Sequence, residues 1–193
     1  NALKKLPFVC EVGVSEGFPG QATETNTFDR EGNEIKIGMI LCDSTAFRLY
    51  NFKRASANNH PIVNSIWMPQ QTYSTLVSQA GFIEKHPLFA GEETITFGGI
   101  VEDYAVLDAL RDSEGYLTYI QIQDAKNFSP WMSNGAGLLI KTTGEHGDNK
   151  KKIDEEYRKY VESVEGRYTE PAYSGYIKDL LSKHITEELD KVV

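Results

Sequence analysis

Cysteine is scarce. Cys10 and Cys42 are the only two in 193 residues, and two cannot build the disulfide framework of a small secreted scaffold. Both fall in predicted strands. They read either as a facing pair that bonds or as two buried thiols in a reducing compartment, since Cys is among the most buried residue types. Histidine is sparse too. Its four residues, at 60, 86, 146 and 184, are too scattered for the ligand spacing of a zinc finger or a metalloprotease helix. No metal and no cofactor is expected. No apolar run approaches the roughly 20 residues of a membrane-spanning helix. A basic excess is also lacking: 20 Lys and Arg stand against 28 Asp and Glu, a net charge of −8. Phosphate binding needs a basic field, so docking of the whole surface on nucleic acid is disfavoured, as is attachment to an anionic membrane surface. A local basic groove is still compatible with that balance.

What is present suits a globular chain. Apolar residues make up 40% and charged residues 25%, and the length fits one ordinary domain, or one domain with a helical appendage. No signal peptide is legible. The chain starts Asn1-Ala2-Leu3 with no methionine before Met39. This reads as a processed, truncated or tag-bearing form and leaves the compartment open, a removed export signal included.

The segment from Glu92 to Asp124 is the most informative. It reads EETITFGGIVEDY, then AVLDALRDSEG, then YLTYIQIQD, two β-rich runs expected to pair in an antiparallel sheet. The first run carries Gly98-Gly99, which marks a bulge, a bend or a close backbone approach. Elsewhere Phe8–Val14 alternates, with Phe8, Cys10, Val12 and Val14 on one face. Residues 15–25 read as a loop and Asp29–Asn33 as a turn. Glu34–Cys42 follows as a strand with Ile35, Ile37, Met39 and Leu41 aligned. Asp43-Ser44 then reads as a tight connection into a third strand, Thr45–Lys53, that makes a hairpin with the second. Pro69 opens a helix over Gln70–Ala80, with Gly81 as its stop. Ala105–Arg111 reads as a short helix, Tyr116–Gln123 and Gly137–Thr143 as strands, and Asp124–Asn134 as a loop.

After Thr143 the pattern changes. GEHGDN (residues 144–149) reads as a polar junction. Lys150–Val164 follows with Ile153, Tyr157, Tyr160, Val161 and Val164 at helical spacing. Gly166 to Pro171 breaks it, and Tyr173–Val192 carries a second stripe of Ile177, Leu180, Leu181, His184, Ile185, Leu189 and Val192. The expected fold is α+β: an antiparallel β-rich body, barrel- or sandwich-like, over residues 1–143 with one internal helix, and a two-helix appendage over 144–193.

ITFGGIVEDY and YLTYIQIQD resemble the first hairpin of an OB-fold, a strand with an internal glycine followed by a strand that ends in an acidic turn. The resemblance implies a small barrel and, with it, single-stranded nucleic-acid binding. It carries no functional residue across. The run FRLYNFKR (residues 47–54) is the one basic-aromatic cluster of the body. As a strand it would set Tyr50 and Phe52 on one face and Phe47 and Leu49 on the other, beside Arg48, Lys53 and Arg54. Trp67 and Trp131 each pair with a Met near a proline in a predicted loop, where large aromatics line clefts or plug the end of a sheet.

The candidate ligand-binding residues are therefore Arg48, Tyr50, Phe52, Trp67 and Trp131. The expected function is a non-catalytic binding or structural module that presents these side chains from a β-sheet to a protein partner or an extended polymer. Two alternatives stand beside it: the OB-like nucleic-acid binder, and a small hydrolase that gathers His146, Asp43 and the Trp131 loop. Self-association through the C-terminal helices is a further expectation. Other motifs fail their context. SNGAG (residues 133–137) leads into a strand, not the helix N-terminus of a phosphate loop. His184-Ile185-Thr186 lacks the second His-x-Thr of a two-histidine phosphoesterase, and Ser44 has no nucleophile elbow.

Overall fold

The computed structural model describes residues 2–18, 22–29, 31–55, 63–79, 96–103, 117–128 and 136–166. Among these residues lie seven strands and three α-helices: β1 (Val9–Glu16), β2 (Thr23–Phe28), β3 (Glu34–Cys42), α1 (Ser44–Tyr50), β4 (Ser65–Pro69), α2 (Gln70–Gln79), β5 (Thr96–Val101), β6 (Leu117–Ile122), β7 (Gly137–Thr142) and α3 (His146–Glu165). The strands form one mixed sheet in the order β5-β4-β6-β3-β1-β7, with β2 paired to β3 beside this path. The class is α+β, as expected. The sheet is open, so the barrel of the OB resemblance does not form. It is also not purely antiparallel: β3 runs parallel to β6 and β4 parallel to β5.

The chain divides into two compact units, residues 13–139 and residues 1–12 with 140–193. In the larger unit, alternate residues of β3, β4 and β6 feed two cores. Ile37, Ile66, Met68, Leu117 and Tyr119 pack with Leu76 of α2, and Tyr73 lies against them. Ile40, Cys42, Trp67, Ile120 and Ile122 pack with Ala46 and Phe47 of α1. A helix thus covers each face, which is why every residue of β4 and nearly every one of β6 is buried. Strands buried on both faces lose the period-two signal and read as continuous apolar runs. For that reason SIWMP does not show itself as a strand in the sequence.

Inserting β4 corrects the expected pairing. The strands containing TFGGIV and LTYIQI are not neighbours, because β4 lies between them, antiparallel to β6 and parallel to β5. The glycine pair is a bulge, as expected. The β4–β5 register shifts so that Ile66 faces Phe97 and Trp67 faces Gly99. Gly98 is also the close approach: a Cβ there would lie 2.7 Å from Trp67 Cε2.

The predicted third strand is a helix. Asp43 has extended backbone and its carboxylate accepts from the Ala46 N–H at 2.6 Å, a helix N-cap. Asn51, with φ 55, closes the helix in the left-handed region. Phe, Leu, Tyr and Thr suit a strand by composition, but Asp43-Ser44-Thr45 ahead of an apolar run is a helix start. Helical geometry buries Ala46 and Phe47 and turns Arg48 to solvent. Gly13 of β1 lets α1 come close, since a Cβ there would lie 2.7 Å from Ala46 Cα.

Two further corrections concern the first strands. Gly13, Ser15 and Glu16 of β1 are buried, whereas Cys10 is exposed and Val12 and Val14 are half-buried, so the apolar alternation does not mark the buried residues. The span read as a loop also contains the start of β2, which pairs with β3 from Thr23↔Met39 to Phe28↔Glu34. The Asp29–Asn33 turn is present. Asp29 accepts from the backbone N–H groups of Glu31 and Asn33 at 2.9 and 2.7 Å and from Asn33 Nδ2 at 2.8 Å. The Asn33 side-chain bond, then its backbone bond, hold the Asp29 carboxyl below its ordinary range.

In the smaller unit, α3 begins at His146, earlier than the sequence suggests. Asn149 does not cap it. It is buried and donates from Nδ2 to the Thr143 carbonyl at 2.7 Å. The Thr143 N–H donates to the Phe8 carbonyl at 2.9 Å, and the Lys152 ammonium lies 5.5 Å from the Phe8 ring centre. Residues 105–111, 129–134 and 173–192, where a short helix, the Trp131 loop and a second helix are expected, lie outside the described residues.

Candidate functional site

The run 47–54 and β4 do converge, but as packed structure under a polar rim. Phe47 and Tyr50 come from α1, Phe52 and Arg54 from the segment after it, and Trp67 from β4. Phe47 lies 5.6 Å from Phe52 and 5.3 Å from Trp67, and Tyr50 lies 5.6 Å from Phe52, all ring centre to ring centre with tilted planes. Such offset, tilted pairs each add about 0.5–1.5 kcal/mol beyond their buried area. Trp67 is 0% exposed, and its indole N–H donates to Ser65 Oγ at 3.2 Å. A ring with no open face offers nothing for a base or a sugar to stack on. Trp67 is the floor of the cluster.

Arg54 lies over that floor. Its guanidinium carbon is 5.7 Å from the Trp67 ring centre and 5.9 Å from that of Phe47, within cation–π range. Backbone pairing fixes this position. Arg54 bridges Val101, the Ala55 N–H donates to the Ile100 carbonyl at 3.0 Å, and the Glu102 N–H donates to the Lys53 carbonyl at 2.8 Å. The segment 53–55 therefore covers the edge of β5, an arrangement with no sequence signal.

Tyr50 is anchored from the other side. Its hydroxyl donates to the Gly17 carbonyl at 3.1 Å, and Ser15 Oγ lies 2.8 Å from the same carbonyl and 3.3 Å from that of Leu41. Burial pushes the Tyr50 phenol well above its ordinary range, against the opposing Ser15 hydrogen bond. Burial likewise pushes the Cys42 thiol far up, with the neighbouring Asp43 adding to it. Cys42 is buried, Cys10 is exposed, and both are free, so no disulfide joins them.

What reaches solvent is a basic rim around aromatic edges. Arg48 is exposed on α1, with Nη2 3.5 Å from Thr45 Oγ1 one turn earlier. Lys53 is exposed and pairs with Glu102 at 3.7 Å. Tyr50, Phe52 and Arg54 are half-buried. These side chains come from a helix and the segment after it, not from the sheet. Trp131 lies outside the described residues. Of the hydrolase set, Asp43 caps α1 and His146 is the exposed first residue of α3. Among the described residues, no three of His, Cys, Asp and Glu are grouped to hold a metal ion. No described helix is long and apolar enough to cross a membrane.

An open mixed sheet with a helix on each face of its larger unit is therefore the class of fold on which this rim sits. No family model matches the sequence, and no curated protein matches it. Solved structures do match. The chain is similar to a domain of a protein described as a permease, from Porphyromonas gingivalis, with TM-score 0.54 and 11% identity over 93% of this chain and 86% of that one. It is also similar to the extracellular domain of the noncanonic ABC-type transporter YknZ from Gram-positive bacteria. There the TM-score is 0.53 and the identity 12%, over 87% of this chain and 82% of that one. At these identities the likeness is one of fold.

Proposed function

We propose that this chain is a non-catalytic extracellular domain of a transporter protein, and that it meets a protein partner through the rim of Arg48, Tyr50 and Phe52. The observation that carries the reading is the breadth of the fold likeness. The YknZ extracellular domain shares the architecture over 87% of this chain and 82% of its own length, so the likeness takes in nearly the whole of both folds. The rim supplies the chemistry. Arg and Tyr are enriched among the residues that dominate protein–protein binding, and they act best over a desolvated, rigid base. Trp67 and Phe47 provide that base here, with Trp131 held as a further candidate.

A photo-crosslinking residue at position 53, exposed beside the rim, in cells that make the protein, tests both parts. The expected product is a specific adduct with a polypeptide of the membrane fraction, absent when the same residue is placed at Val77 on α2. Arg48→Glu should reduce capture severalfold with no change in melting temperature, since Arg48 is exposed. Equal adducts from both positions, or adducts confined to cytosolic proteins, would overturn the reading.

A further inference from the structure

Carboxylates are missing from the part of the sequence that builds the rim. From Ser44 to Ile83 there is no Asp and no Glu, and the Lys and Arg residues of that stretch are Arg48, Lys53 and Arg54, in a chain whose net charge is −8. An even spread of 28 Asp and Glu over 193 residues would place several there. The fold sets the three cations around Phe47, Phe52 and Trp67. Arg54 is held over the Trp67 and Phe47 rings by backbone pairing to β5, and Arg48 is exposed on α1. A carboxylate from outside the stretch reaches this rim. Glu102, just after β5, lies 3.7 Å from the Lys53 ammonium, and the two side chains are 59% and 79% exposed.

We propose that the partner presents an acidic polypeptide segment to this rim, and that Glu102 stands in for one of its carboxylates when the partner is absent. The inference rests on the reading of the rim as a protein-binding surface. A guanidinium whose position is fixed loses little freedom on binding, and Arg meets carboxylate through charge-assisted, paired hydrogen bonds. An exposed ion pair such as Lys53–Glu102 contributes little to stability, so exchanging Glu102 for the partner's carboxylate costs little. The range of the charges selects a short segment over a nucleic acid. At physiological ionic strength a charge is felt over about 8 Å. A short acidic segment therefore meets chiefly the basic rim, whereas a long polyanion also meets the acidic remainder of the chain. The closed ring of Trp67 gives a base no platform either. The edges of Tyr50 and Phe52, both half-buried, suit an apolar side chain between the partner's carboxylates.

The test is fluorescence anisotropy of the full chain with two labelled probes, a peptide of alternating Glu and Tyr and an oligothymidylate of equal charge. The peptide should bind despite the net charge of −8, and more weakly as salt rises. Arg48→Gln should weaken it severalfold. Glu102→Gln should tighten it severalfold, because the competing carboxylate is gone. Glu155→Gln removes the same charge from an exposed position on α3 and should leave the affinity unchanged. No peptide binding at low salt, equal gains from the two Glu variants, or tighter binding of the oligothymidylate overturns the inference. If the membrane adduct from position 53 forms in those cases, the acidic segment is wrong and the partner reading stands. If the peptide binds as expected and no adduct forms, the transporter reading alone fails.

Discussion

Gly98→Ala tests the packing of Trp67 directly. The added methyl would lie 2.7 Å from Trp67 Cε2 and 2.9 Å from Cδ1, against a ring that is 0% exposed. The indole has no room to retreat, because Phe47 and Arg54 lie over it and its N–H is bonded to Ser65. Overpacking of this kind costs about 1–3 kcal/mol. The loss of unfolded-chain freedom on replacing Gly by Ala returns about 0.4–1 kcal/mol. The net destabilisation should therefore be about 1–2 kcal/mol, or about 2–8 °C in melting temperature for a chain of this size. Urea denaturation followed by tryptophan fluorescence measures it. Gly147→Ala is the control. A Cβ there meets nothing within 4 Å, so the change should be neutral or stabilise α3 by up to about 0.5 kcal/mol. Adding Trp67→Phe, which removes the crowded edge of the indole, should make the double variant less destabilised than the sum of the single variants. A Gly98→Ala protein as stable as Gly147→Ala would show that Trp67 does not pack against β5 as described.

Two further outcomes follow from the same unit. Asp43→Ala should destabilise the protein by about 1–2 kcal/mol through loss of the α1 cap, and Asp43→Asn by much less. Equal losses in urea denaturation would refute capping as the role of Asp43. Alkaline pH should unfold the protein, because burial raises the Tyr119 phenol from 10.0 to about 12 and raises Tyr50 and Cys42 as well. The folded state holds these protons more tightly than the unfolded state. Their stabilisation is therefore complete below pH about 9 for Cys42 and about 10 for the tyrosines, and is lost as pH rises through the folded-state values. Phenolate absorbance and circular dichroism, followed together, should show the buried tyrosines ionising only with unfolding. Full phenolate formation near pH 10 with native dichroism would contradict it.

Runs rich in β-branched residues or with clear alternation were legible in the sequence, and the short doubly buried run SIWMP and the helix at 44–50 were not. β3, β6 and β7 showed themselves through β-branched or alternating runs, and α2 through Pro69 and its apolar spacing. β4 was hidden because both its faces are buried, and α1 because its aromatic composition outweighed the start signal at Asp43. These two elements decide the site. Reading 45–53 as a strand places Tyr50 and Phe52 on an exposed sheet face, whereas the helix turns the aromatics inward over Trp67 and leaves Arg48 outside. The residues that converge were visible as FRLYNFKR and Trp67. Their burial, the Arg54 lid and the bonds from Tyr50 and Ser15 to the Gly17 carbonyl depend on contacts distant in sequence that no local pattern encodes.

Protease accessibility in intact cells tests the central claim most directly. In cells that make the protein, an external protease should cleave this chain while a cytosolic marker survives, and the uncleaved chain should sediment with the membrane fraction. A chain that resists the protease until the cells are lysed, and then partitions with the cytosolic marker, would contradict the assignment to an extracellular transporter domain.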